Sequence, residues 1–269
     1  MSGSFGGSFN RIGAIAINTF TEASRNRAFI GLGIAAIALV VSSMAISGLA
    51  VSDQRARVLV DFGLFAVSLL LVVISITMGV ILVFKEVDRK TFYVVLTKPI
   101  RRAEVLAGKL LGLLSVLVVT LFLMGLAWVL VLVIRDVALP ADLFKALILT
   151  WLQAALVTSL ALLFSTFASP ILSGVFTFGV FIVGTMIPVL QDLLTLRKGP
   201  LAASPAMRFL AEGTIKVVPD MTVFNVSKEL ILGIPVTWHY VSGAFFYCLG
   251  WSALFFALAV LIFSRRDFN

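Results

Sequence analysis

The chain has 269 residues and a mass of 29.0 kDa; 61% of them are hydrophobic, 13% are charged, and the mean hydropathy is +1.13. Globular domains are roughly half apolar and about a quarter charged, so this excess excludes a disordered chain, a disulfide scaffold and an ordinary cytosolic enzyme, and requires lipid to cover it. The formal charge of +8 would suggest nucleic acid in a soluble protein. Here the placement of the charges decides its meaning.

In chain order, Met1 to Ser8 is rich in Gly and Ser and is expected to be a mobile tail. Phe9 to Arg27 places Phe9, Ile12, Ala16 and Phe20 on one helical stripe, with Arg11, Asn18, Thr21 and Glu22 mostly elsewhere, which predicts an amphipathic helix lying in the cytoplasmic interface. A basic flank that only sets topology is the alternative.

A hydrocarbon core of about 30 Å takes about 20 apolar residues in a helix. Uncharged runs of that length cover Ala28 to Ser52, Phe62 to Phe84 and Leu110 to Ile134. The run from Ala146 to Gln191 is too long for one helix, and Ser169-Pro170 near its middle splits it in two. The last run carries the turn signal Gly233-Ile234-Pro235, so its helix is expected from Tyr240 to Phe263. The expected spans are therefore 28-50, 62-84, 110-134, 146-168, 170-190 and 240-263, an all-α fold in a single membrane-spanning domain. The first run starts only after residue 27 and is longer than a signal-peptide core, so it is expected to stay in the membrane. No internal repeat and no separate soluble domain stand out.

Lys and Arg in the short loops set the orientation. With the N-terminus inside, the inner segments hold 12 of them, among them Arg11, Arg25, Arg27, the group from Lys85 to Lys109, Arg265 and Arg266. The short outer loops hold four: Arg55, Arg57, Arg135 and Lys145. Both termini are expected in the cytoplasm, and the positive charge follows from topology without nucleic acid as a partner.

Between the second and third spans, residues 85–109 combine a polar stretch, Glu86 to Thr91, with an apolar one, Phe92 to Leu96; Pro99 then ends any helix and basic residues lead back to the membrane. A short helix with an exposed aromatic and aliphatic face suits a groove on a soluble partner. A solvated loop whose apolar residues dip into the interface is the competing reading.

The run Glu86, Thr91, Leu96, Lys98-Pro99-Ile100, Arg102 and Gly108-Lys109 resembles the cytoplasmic coupling-helix signature of type-2 permeases of ATP-binding-cassette transporters. Within that family it is most similar to the branch of the nitrous-oxide-reductase maturation and gliding-motility permeases. The wider family often has Gly just before the Thr, where this chain has Lys90. The six spans, the long outer segment before the last one and the terminal Phe263-Ser264-Arg265-Arg266-Asp267-Phe268 also fit that branch. The resemblance implies a non-catalytic half-transporter of the bacterial cytoplasmic (inner) membrane. It would pair with a second copy or a similar permease and dock on a separate cytoplasmic ATPase, which binds the ATP and Mg. By position, Glu86 and Thr91 would organise the coupling helix, Phe92, Tyr93, Val95 and Leu96 would make docking contacts, and Arg101 and Arg102 would anchor its exit beyond Pro99. In agreement, the chain carries no G-x-x-x-x-G-K-[ST] loop, so no cofactor is expected on it.

The five clearest spans hold no Asp, Glu, Lys, Arg or His, which speaks against an ion-driven carrier and against an intramembrane hydrolase. His239, between Trp238 and Tyr240, reads as an interfacial anchor. Ser68, Ser75, Thr77, Thr158, Ser159, Ser173 and Thr177 are expected to hydrogen-bond between helices at about 1 kcal/mol each or less. Gln153 is the candidate for lining a pathway. Gly31 with Ala35, Ser43 with Ser47 and Gly108 with Gly112 are expected to allow close helix approach.

The outer segment, 191-239, carries Pro200, Pro205, Pro219 and Pro235 around two short stretches, Ala206 to Val218 and Phe224 to Leu232, expected as helices on the outer leaflet. They suit a gate, a platform for an extracytoplasmic partner protein, or a packed lid. Export of a substrate and relay of force to an outer protein both follow from the family resemblance, and a stand-alone secondary carrier or scaffold without an ATPase is the contrasting class.

Overall fold

The computed structural model describes residues 3–49, 54–88, 102–195 and 205–265, and among these it is all-α. In order the helices are α1 (Gly3–Ser24), α2 (Arg27–Leu49), α3 (Arg55–Asp88), α4 (Arg102–Ile134), α5 (Leu143–Ser165), α6 (Pro170–Thr185), α7 (Ile187–Thr195), α8 (Pro205–Val217), α9 (Ser227–Leu232) and α10 (Trp238–Arg265), with a 3-10 turn at Thr222–Phe224 before α9. Among the described residues five helices, α2, α3, α4, α5 and α10, are long and apolar enough to cross a membrane, and the pair α6 and α7 makes a sixth if taken as one span. The chain is an all-α polytopic membrane protein.

Contacts fix the helix directions. Ser68 on α3 meets Gln153 on α5, and a Cβ at Gly79 on α3 would meet Ala161 on α5, so the two helices run parallel. Cys248 on α10 bonds the Leu152 carbonyl and Ser252 the Ser159 hydroxyl, so α10 runs the same way. Met44 near the end of α2 meets Arg135 at the end of α4, and Gly125 on α4 packs on Leu147 near the start of α5. The bundle thus has a far pole, with Arg55, Arg135, Asp142 and residues 205–237, and a near pole, with α1 and the first turns of α4. The middle helix is α5, which packs against α3, α4, α6 and α10 and is buried nearly all round. By contrast α2 and α10 leave most of their apolar surface open.

Three expectations change. First, Gly3 to Ser8 is helical rather than a tail; Ser8 Oγ donates to Glu104 Oε1 at 2.7 Å, which gives this end a partner. Second, α3 starts at Arg55, not at residue 62, so Asp61 lies nearly two turns inside the helix. Third, the stretch 170-190 is broken after Thr185 and bends by 44°. Pro188 explains the break: it has no N–H for the Gly184 carbonyl four residues back, and its ring crowds that carbonyl. The freed oxygen accepts instead from the Met221 N–H at 3.2 Å.

The polar residues of the spans mostly do not bridge helices. Ser75, Thr77, Thr158 and Thr177 donate to carbonyls four residues back in their own helices, which satisfies the hydroxyl without a neighbour. Ser68 with Gln153 and Ser159 with Ser252 do cross between helices. A Cβ at Gly31 would meet nothing within 4 Å among the described residues, so its expected close approach is absent among them, whereas Gly108 and Gly112 are both in tight contact.

Candidate functional site at the far pole

Residues 218–226 fold inward rather than lying across the surface. Met221 is fully buried, and Phe224 and Val226 nearly so. The reason is a set of backbone bonds that only this depth supplies. The Met221 N–H takes the Gly184 carbonyl left free by Pro188, and the Met221 carbonyl accepts from Gln153 Nε2 at 3.3 Å. Gly184 is required here, because a Cβ would lie 2.6 Å from the Pro219 carbonyl and 2.8 Å from Met221 Cγ. Asp220 Oδ1 accepts from both the N–H and the hydroxyl of Thr222, forming the turn that follows.

Two tyrosines of α10 hold the same segment from the other side. Tyr247 Oη accepts from the Asp220 N–H at 2.7 Å, and Tyr240 Oη donates to the Val223 carbonyl at 2.6 Å. Phe224 stacks on Tyr247, which continues through Trp251 to Phe255 with ring centroids 5.5 to 6.5 Å apart. Aromatic pairs at such spacing add about 0.5–1.5 kcal/mol beyond their buried area.

The start of α10 is tied to α5. Asp142 Oδ1 accepts from Lys145 Nζ at 2.6 Å, Asp142 Oδ2 accepts from the Val236 N–H at 2.7 Å, and Lys145 Nζ donates to the Val236 carbonyl at 2.6 Å. Both backbone groups of Val236 are thereby satisfied, as in a single rung of a sheet. Lys145 also lies 5.4 Å from the ring centre of Trp238. The Lys145 ammonium first, and the Val236 N–H next, hold the Asp142 carboxyl below the ordinary carboxylate range. Just before this tie, Gly233 ends α9 in the left-handed region at φ 68°, where a side chain would be strained.

Beside the Met221 segment lies a cavity of about 870 Å³, with walls from α3, the α6–α7 bend, α9 and the start of α10 and a floor on α5. Gln153 is part of that floor, but its amide is engaged on both sides: Oε1 accepts from Ser68 Oγ at 2.8 Å while Nε2 reaches Met221. It acts as a latch between α3, α5 and the inserted segment. Asp61, Lys228 and Glu229 also line the cavity, and none of the three has an ion pair among the described residues. His239 is exposed at the start of α10. Among the described residues no group of three or more His, Cys, Asp or Glu is arranged to hold a metal ion.

Sequence reading reached Gln153 but missed Asp61 and Met221. Asp61 was hidden by placing the span boundary at the first uncharged residue, although helices routinely begin in charged sequence. For Met221 the signal was Pro188, which orphans a carbonyl inside an apolar run and so demands a donor from elsewhere.

At the near pole, α3 has 34 residues and α4 has 33, each about 50 Å long at 1.5 Å per residue and so about 20 Å longer than a hydrocarbon core. Their near ends carry residues 89–101. Thr91, Phe92, Tyr93, Val95, Leu96, Pro99 and Arg101 lie outside the described residues, as do the side chains of Glu86 and Arg102. The base of α4 is held by α1, which runs parallel to it. Glu104, almost fully buried, accepts from Ser8 and has Arg11 Nη1 at 3.9 Å from its second oxygen. One turn on, a Cβ at Gly108 would meet Ile15 at 2.7 Å and the Ile12 carbonyl at 2.9 Å; a further turn on, one at Gly112 would meet the Ala16 carbonyl and Thr19 at 2.7 Å. The buried face of α1 is therefore centred on Ile12, Ile15, Thr19 and Ala23, slightly rotated from the expected stripe.

A family model described as ABC-2 family transporter protein matches residues 13–268, and the chain belongs to that family. It is a permease subunit of an ATP-binding-cassette transporter, a multi-pass membrane protein of transport function. A comparison with curated proteins finds no match.

Proposed function

We propose that this permease couples ATP hydrolysis in a separate cytoplasmic ATPase, which binds the ATP and Mg, to movement at its far pole. The observation that carries the reading is the family match over nearly the whole chain, joined to the length of α3 and α4. Each helix is about 20 Å longer than a hydrocarbon core requires, length enough to carry 89–101 clear of the lipid to a soluble subunit. In this reading the near pole, both termini included, is cytoplasmic, and the far pole faces outward across the bacterial inner membrane. Glu86 and Thr91 shape the loop, Phe92, Tyr93, Val95 and Leu96 fill a groove on the ATPase, and Pro99, Arg101 and Arg102 set its return into α4. Two copies, or this chain and a similar permease, pair to match the two ATPase subunits of a closing dimer.

The packing supports the following stroke. Movement of the loop shifts the base of α4, α1 moves with it, and the displacement reaches the far pole against the fixed α5. There the Gln153 latch and the Met221 segment rearrange, opening the cavity to the outside for export of a substrate, with Gln153 lining the path. Relay of force to an extracytoplasmic protein, as in the branch of maturation and gliding-motility permeases, uses the same stroke and differs in what the exposed helix α8 contacts.

The test is co-purification of the tagged chain in mild detergent from its own host. A stoichiometric ATPase is expected with the native chain and none with Phe92→Asp, which puts a charge into an apolar contact without touching a span. Retention of the ATPase by the Phe92→Asp protein would overturn the assignment of the loop.

A further inference from the structure

We propose that the far-pole cavity is a binding site for an organic cation with an apolar body, and that Asp61 is its counter-ion. The proposal deepens the reading above by naming the chemistry of what reaches the outward end of the path.

The starting point is the placement of Asp61. A carboxylate on the wall of a cavity that is otherwise mostly apolar and aromatic suits a cationic ligand, and ionisable residues facing such cavities in membrane proteins mark ligand or ion pathways. Asp61 sits nearly two turns inside α3 and borders the cavity, yet it has no ion pair among the described residues, not even with Arg57 one turn earlier. Glu229 on α9 stands on the same cavity and is likewise free of an ion pair among the described residues. Against these two carboxylates the lining offers, among the described residues, one cation, Lys228.

The remaining walls select the kind of cation. Phe62 and Phe65, with ring centroids 6.1 Å apart, share α3 with Asp61, and Phe224 and Tyr240 face the same space. Aromatic faces attract a cation whose charge is spread and weakly hydrated, and they also bury apolar substituents around it. A bare divalent ion finds no cage, since a hard cation needs six or more oxygens close together and no group of three or more candidate ligands occurs among the described residues. The volume of about 870 Å³ lies within the range of sites that enclose a small molecule.

A pair of probes with one shape and opposite charge tests the assignment: tetraphenylphosphonium and tetraphenylborate, measured by equilibrium dialysis against the full-length chain in lipid nanodiscs, with empty nanodiscs subtracted. Saturable binding of the phosphonium is expected, weakened about tenfold by Asp61→Asn, the size of one lost charged contact, and less by Glu229→Gln. No saturable binding of the borate is expected. Asp61 is exposed, so the Asn variant should elute as the native chain does in size exclusion, and Asp192→Asn, at a carboxylate that is not part of the cavity lining, serves as a control variant. Equal or tighter binding of the borate, an unchanged phosphonium affinity in Asp61→Asn, or complete displacement of the phosphonium by micromolar calcium would each overturn the proposal. The assay needs no ATPase, so its failure leaves the co-purification result standing, and loss of the ATPase partner leaves this binding result standing.

Discussion

Gln153 is the side chain through which three elements meet. Replacing it with Leu leaves the Ser68 hydroxyl and the Met221 carbonyl without their partner. Each such bond between membrane helices is worth about 1 kcal/mol. Gln153→Leu is therefore expected to lower stability by about 1–2 kcal/mol, read as a drop in Tm of the purified chain in detergent. An unchanged Tm would mean that the latch carries no strain. Asp142 makes a different prediction, because its carboxyl is held low by Lys145 and Val236. A carboxyl whose folded pKa lies below its unfolded one contributes stability above the unfolded value, and that contribution is lost as pH falls through the folded value. The tie of α5 to Val236 is then intact at neutral and mildly acid pH and released only once the pH falls through the lowered folded pKa. Proteolysis of the 205–237 region should accelerate below that point, and Asp142→Asn should be cleaved readily at every pH.

At the scale of elements, the contact between α1 and α4 rests on two positions without side chains. Leu at Gly108 meets Ile15 and the Ile12 carbonyl, backbone and β-branched atoms that cannot swing aside. Gly108→Leu is expected to separate the helices and to expose Glu104, while membrane insertion persists because the span of α4 is unchanged. Hydrogen exchange of residues 8–23 should rise sharply in this variant, and ATP turnover of the purified complex should lose its response to the permease. Retained protection of α1 would overturn the account of this contact. The sequence already contained the pair Gly108 and Gly112 as a candidate close approach, but not its partner. Small residues declare that something comes near, and only the fold says what. The same spacing at Gly31 leads to open space among the described residues.

For the whole molecule, the apolar runs and the Pro170 break were legible because burial in lipid imposes length and hydropathy directly on the sequence. Helix ends were not, since charged residues such as Arg55 and Asp61 extend a helix past the apolar stretch without any change in pattern. The far-pole site was legible only in part. Gln153 stands out as a large amide among apolar neighbours, whereas Met221 looks like one more apolar residue in a loop and owes its role to a carbonyl orphaned 37 positions earlier at Gly184. Tertiary bonds of that reach leave no local trace.

The parallel seat of α1 along α4 has a mechanical meaning. A single helix of α4's length, loaded sideways at one end, flexes, and much of the displacement is lost before it arrives. Two rods fastened side by side resist bending far more than one, so in the proposed stroke the splinted base of α4 would pass a load onward as rigid tilt. The splint stops at Arg25 and Asn26, where α1 gives way to α2. Above that joint α2 takes over against α4, as far as the bond from Arg135 to the Met44 carbonyl, so in the proposed stroke the joint is where a push from below would pass from one helix to the next.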